Sequence, residues 1–115
     1  MSKGMGYHYS GTKGHIIDVA QNLPQTPASL LNNGWKDISN PKQSAAGHYE
    51  LQEQSTGLKI RYDKGKAGSP GYKGKDHYHV FNPNATSNKD LYLDKDGNPV
   101  SKSSSKSHIL PKGGK

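Results

Sequence analysis

Apolar residues fall at helical spacing between residues 15 and 34, and at every second position from residue 46 onward. In "HIIDVAQNL" (15–23), Ile16, Ile17, Val19, Ala20 and Leu23 share one helix face, which predicts a first helix ending before Pro24. "TPASLLNNGW" predicts a second. Thr26 suits an N-cap, Pro27 suits the first turn and Gly34 suits the position just past the end. Leu30 and Leu31 would face the core, with Trp35 packing after the turn. "GHYELQEQ" (47–54) puts Tyr49 and Leu51 on one side and His48, Glu50 and Gln52 on the other. "LKIRYD" (58–63) sets Leu58, Ile60 and Tyr62 against Lys59, Arg61 and Asp63. "DHYHVF" (76–81) predicts a third strand after the loop "KGKAGSPGYKGK" (64–75). "LYLD" and "NPV" flank a hairpin signal at Asp96-Gly97, and "SHIL" (107–110) suits a short edge strand. The outline is α+β: two N-terminal helices on a twisted antiparallel sheet of four to five strands.

Composition refines this picture. The 115 residues predict one domain, with residues 1–13 as a flexible lead-in and 101–115 as a partly flexible tail. A hydrophobic fraction of 29% is low enough for disorder to compete, but seven Tyr, one Trp and the alternating segments argue for a thin ordered core. The absence of cysteine excludes disulfides, thiolate metal sites and a cysteine nucleophile. No segment is apolar enough to span a membrane, and no signal-peptide hydrophobic region follows Met1. The expectation for an exported protein is therefore that its signal lies outside this chain.

Charge separates the two halves. Residues 1–57 hold Lys3, Lys13, Lys36 and Lys42 against Asp18, Asp37, Glu50 and Glu53, and balance. The whole net charge of +7 sits in residues 58–115. A basic half of this kind suits a polyanion such as RNA.

Strand alternation places chemistry on that half. In "KGKDHYHVF" (73–81), Lys75, His77 and His79 share one face and Asp76, Tyr78 and Val80 the other. If 58–63 is the neighbouring strand, Lys59, Arg61 and Asp63 join the histidines. RNA cleavage through the 2′-hydroxyl needs a base, an acid and cations for the phosphate, and imidazoles can take both proton roles near neutral pH. The candidates are His77 and His79 for proton transfer, with Glu50 as an alternative partner and His108 as a third imidazole. Arg61, Lys59 and Lys75 are candidates for the phosphate, and Lys66 and Lys73 of the glycine-rich loop for tracking its backbone. A strand H-x-H is also a two-ligand metal unit that Asp63, Asp76 or His108 could complete. The neighbouring cations argue against that, so neither metal nor cofactor is expected.

"GTKGHIIDVAQNLP", "GWKDIS", "GLKIRYDKGKAGSPGYKGKDHYHVFNPN", "YLDKDGNPV" and "SHILPK" together resemble the C-terminal toxin domains of bacterial polymorphic toxins, the variable tips of contact-dependent inhibition, Rhs and LXG effectors. "LPQTPASLLNNGW" before a basic sheet resembles barnase and the wider barnase-, EndoU- and RelE-like ribonuclease group. The resemblance implies a monomeric, metal-independent endoribonuclease. It would be secreted within a larger bacterial effector, act in the target-cell cytoplasm on RNA (tRNA and rRNA are both candidates), and be blocked by an acidic immunity protein. Its site would rest on His77, His79, Arg61 and Glu50. The single arginine and two glutamates depart from barnase, which leaves the base open and gives lysine more of the phosphate contact. Two other readings remain. "DHYH", an asparagine at 82, 84 or 88, and His108 follow the order of a metal-dependent His-Asn-His nuclease acting on DNA. A non-catalytic basic RNA-binding module needs no chemistry from the histidines.

Overall fold

A computed structural model describes residues 6–112. Its centre is a six-stranded antiparallel sheet in simple sequential order: β1 (Trp35–Asp37), β2 (His48–Glu53), β3 (Lys59–Asp63), β4 (His77–Phe81), β5 (Tyr92–Leu93) and β6 (Pro99–Val100). Three helices accompany it: α1 (Lys13–Gln21), α2 (Ala28–Leu31) and α3 (Pro41–Ala45). The α+β class holds. The sheet has one strand more than expected, because Trp35 opens an edge strand as well as filling the core.

The helices differ in detail from the sequence pattern. α1 begins two residues before His15, because the Thr12 hydroxyl accepts the His15 N–H and caps the first turn. The second helix shrinks to four residues. Thr26 does not cap it, Leu31 is exposed, and only Leu30 packs on the core. α3 was not foreseen, although Asn40 and Gln43 form a reciprocal capping box around Pro41.

Alternation in β2–β4 sets the two faces of the sheet. Leu51 pairs with Ile60, Ile60 with Val80, and Val80 with Leu93, so the apolar residues stack across four strands. Tyr49, Tyr62 and Tyr78 form a second row, with ring centroids 6.3 and 5.0 Å apart. Ile16, Ala20 and Leu23 from α1 and the segment after it cover this face, and the Tyr78 hydroxyl donates to Pro24 O. The opposite face carries His48, Glu50, Lys59, Arg61, Asp63, His77 and His79. It is flanked by a small apolar cluster of Ala85, Leu91 and Tyr92 with Phe81 and Val100 packed against it.

Connections fix what the strands leave free. The β5–β6 hairpin closes through Gly97 at φ +80°, a left-handed conformation that glycine adopts without a Cβ clash. Tyr78 and Ile109 exchange two backbone hydrogen bonds of 2.8 Å, so "SHIL" does return to the sheet, as an isolated bridge on β4. Of the lead-in, residues 1–5 lie outside the described part. Tyr7 is tied down, its hydroxyl donating to Phe81 O and accepting from Lys59 N. In the tail, Lys112 N donates to Leu23 O.

Ile60 is fully buried between Leu51 and Val80. Ile60→Ala should lower the unfolding free energy by about 2–5 kcal/mol, measured by urea denaturation, because the sheet on both sides limits collapse into the cavity.

Candidate active site

Asp63 is the last residue of β3, and register brings the polar face together around it. Asp63 lies opposite His48 on β2 and His77 on β4, and Arg61 lies opposite Glu50 and His79. Asp63 Oδ1 is 2.6 Å from His48 Nδ1 and accepts a 2.7 Å hydrogen bond from Arg61 Nε. Asp63 Oδ2 is 3.2 Å from His77 Nε2 and 3.4 Å from His79 Nε2. One buried carboxylate thus meets three imidazoles and a guanidinium.

His108 is the further imidazole, and the tail bridge explains its position. Ile109 pairs with Tyr78 on the core side of β4, so its neighbour His108 falls on the other side, beside His77 and His79. The ring centroids of His77, His79 and His108 are 4.8–4.9 Å apart in every pair. Tyr72, from the 3₁₀ turn Gly71–Gly74, stacks on His108 at 4.5 Å, and Tyr92 stacks on His79 at 4.4 Å. His77 and His79 are buried and His108 is half-buried. A groove of about 790 Å³ opens beside His108 and Tyr72, with Lys95 and Lys106 on its walls.

The charges act on one another. Burial alone would raise the Asp63 carboxyl, but bonds from His77, His79 and Arg61 hold it well below the usual carboxylate range. Burial would lower His77, yet the Asp63 carboxylate and the Lys75 carbonyl outweigh it and raise its pKa. His108 is lowered, by burial first and by the neighbouring His79 and His77 next. Arg61 is raised, since the bond and charge of Asp63 outweigh its burial.

The structure unites His77, His79, Arg61 and His108. Glu50 shares their face and lies opposite Arg61, and its carboxylate accepts from Gln43 of α3. The expected lysines stand further out. Lys59 lies 5.0 Å over the Tyr7 ring, while Lys66, Lys73 and Lys75 are exposed on the loop between β3 and β4. Asp76, on the other side of β4, accepts from Gly65 N and so clips that loop. Sequence reasoning treated Asp63 as a companion rather than the hub, and it assigned no role to His48, Tyr72 or Tyr92. His48 and Asp63 could have been found from alternation once the β2–β3 register was fixed. Tyr72 lies in an aperiodic loop and gave no signal.

Comparison with family models, with curated proteins and with solved structures finds no match to this chain. Among the described residues, no helix is long and apolar enough to cross a membrane.

Asp63→Ala should cost about 3–5 kcal/mol in chemical denaturation, because it leaves the buried His77 and the half-buried Arg61 without their carboxylate. His48→Ala, which removes one half-exposed partner, should cost about 1 kcal/mol.

Proposed function

We propose that this domain cleaves RNA by metal-independent acid–base transesterification. The observation that carries the reading is the gathering of His77, His79 and His108 with Arg61 around Asp63 on one sheet face. His108 offers the most accessible imidazole. Its Nδ1 faces Ser105 O at 3.2 Å, which leaves the Nε2 lone pair to take the proton from a 2′-hydroxyl. The 2′-oxygen then forms its bond to phosphorus as the bond to the 5′-oxygen breaks. His77 stands between two acceptors, Lys75 O at 2.9 Å and Asp63 Oδ2, an arrangement that favours the doubly protonated ring and a proton for the leaving 5′-oxygen. Arg61 commits Nε to Asp63, and its guanidinium, beside Tyr92 on the same face, carries the charge for the phosphate oxygens. The exposed lysines of the β3–β4 loop and the basic C-terminal half supply longer-range attraction for the RNA backbone.

The wider reading follows from the resemblance to polymorphic-toxin tips. The domain would be the toxic end of a larger secreted effector, acting in the cytoplasm of a target cell and held off by an acidic immunity protein. α1 and α2 come before the antiparallel sheet, an order in keeping with the resemblance to barnase-like ribonucleases, although α3 lies between β1 and β2.

Purified domain incubated with total RNA in excess EDTA should break it down. His77→Ala and His108→Ala should each slow cleavage by about 10²–10⁴-fold, while Lys75→Ala should change it only a few-fold. Cleavage that appears only when Mg²⁺ or Zn²⁺ is restored would replace this reading with a metal-dependent nuclease. Salt-sensitive RNA binding without cleavage would replace it with a binding module.

A further inference from the structure

The three imidazoles also make a set that a free acid–base pair does not need. We propose that His77, His79 and His108 form a binding site for a borderline transition-metal dication such as Zn²⁺. The three ring centroids define a nearly equilateral triangle with sides of 4.9, 4.9 and 4.8 Å. Three imidazoles at the corners of a tetrahedral zinc centre, with bonds of about 2.0–2.1 Å, hold their centroids about 5 Å apart. One ligand nitrogen of each ring lies within 4.8 Å of the other two, and the rings would turn inward to converge on one ion.

The second nitrogens fit the same reading. His77 Nδ1 faces Lys75 O at 2.9 Å and His108 Nδ1 faces Ser105 O at 3.2 Å. On His108 a backbone carbonyl that takes the Nδ1 proton leaves the Nε2 lone pair for a metal, and on His77 the same bond does so once the ion displaces the Nε2 proton shared with Asp63. His79 is 5% exposed, and its Nδ1 is buried without any hydrogen-bond partner. In the tautomer that donates Nε2–H to Asp63, that Nδ1 lone pair is unused, and a cation gives it a partner. Asp63 Oδ2, 3.2 Å from His77 Nε2, adds a carboxylate at the edge of the site.

The nearby cations do not oppose this strongly. The Arg61 charge is paired with Asp63 Oδ1, Lys59 lies over Tyr7, and Lys73 and Lys75 are exposed to solvent. Imidazole ligands select Zn²⁺, Co²⁺, Ni²⁺ or Cu²⁺ over Mg²⁺ and Ca²⁺, which prefer all-oxygen shells. Binding stands on the geometry alone. Its effect on activity rests on the RNA-cleavage reading: a bound ion occupies the His108 lone pair that takes the proton and displaces the His77 proton that the leaving oxygen needs, so Zn²⁺ acts as an inhibitor and a chelator relieves it.

The test uses the whole chain, stripped with EDTA, dialysed, and titrated with Zn²⁺ in competition with a chromophoric chelator. Co²⁺ is added separately to read the visible absorption of a tetrahedral site. One equivalent should bind with that absorption. His108→Ala should weaken binding about 100-fold or more, and His8→Ala, in the exposed lead-in, should leave it unchanged. Circular dichroism checks folding, and His108→Gln serves if the alanine variant is unfolded. Wild-type affinity no tighter than that of the His108 variants, or loss of binding on His8→Ala, would overturn the proposal. In the RNA assay, one equivalent of Zn²⁺ should stop cleavage and EDTA should restore it. Stoichiometric Zn²⁺ binding with RNA intact throughout would reject the cleavage reading and leave the metal site standing. Cleavage that requires Zn²⁺ would overturn the inhibitory role while confirming the site.

Discussion

A buried carboxylate must find partners or lose its charge, and Asp63 keeps its charge by drawing in four. His48, Arg61, His77 and His79 come from three adjacent strands, and each has a nitrogen within 3.4 Å of the same carboxylate. Of these groups Asp63, His77 and His79 are buried, and the carboxylate would not keep its charge there without its partners. The polar face of the sheet is therefore held together by electrostatics, as the opposite face is held together by the Leu51, Ile60, Val80 and Leu93 row. The arrangement depends on an antiparallel register in which Asp63 meets His77 and Arg61 meets His79. A slip of one residue would turn the histidines into the core and the tyrosines out.

The segments without regular structure complete the site. The tail reaches it through two backbone hydrogen bonds between Tyr78 and Ile109, which set His108 over the face. The loop between β3 and β4 delivers Tyr72 onto His108 and is clipped at its base by Asp76 and Gly65. Chain stretches far apart in sequence thus meet at three imidazoles. Proton transfer and metal binding use the same ring nitrogens there, so the two proposed properties compete for the same atoms.

Period-two alternation made much of this legible in the sequence. It put His77, His79, Arg61 and Asp63 on one face and Tyr62, Tyr78 and Val80 on the other, because side-chain direction in a strand follows from spacing alone. The Asp96-Gly97 signal marked the hairpin, and "SHIL" was recognisable as a returning segment. Other features depend on tertiary context. The length of α2 does: Leu31 has the composition of a core residue, but the chain turns toward β1 before it can pack. Trp35 reads equally as a packing residue or a strand start, and it is both. The central role of Asp63 emerges only when β2 and β4 flank it, since sequence shows one aspartate among nine acidic residues. The lysines were legible as a basic set, but not where each stands: Lys59 lies over Tyr7 and the loop lysines face solvent.

The central claim is that Asp63 and the strand histidines act as one coupled unit. A double-mutant cycle in denaturant unfolding, pairing Asp63→Asn with His77→Gln, tests it most directly, with Asp63→Asn and His15→Gln as the distant control; His15 pairs instead with Glu53 on the other face. Coupling of about 1 kcal/mol or more for the first pair, with the control additive within about 0.5 kcal/mol, is the predicted result. Additivity in both cycles would contradict the account, because the carboxylate would then hold neither histidine.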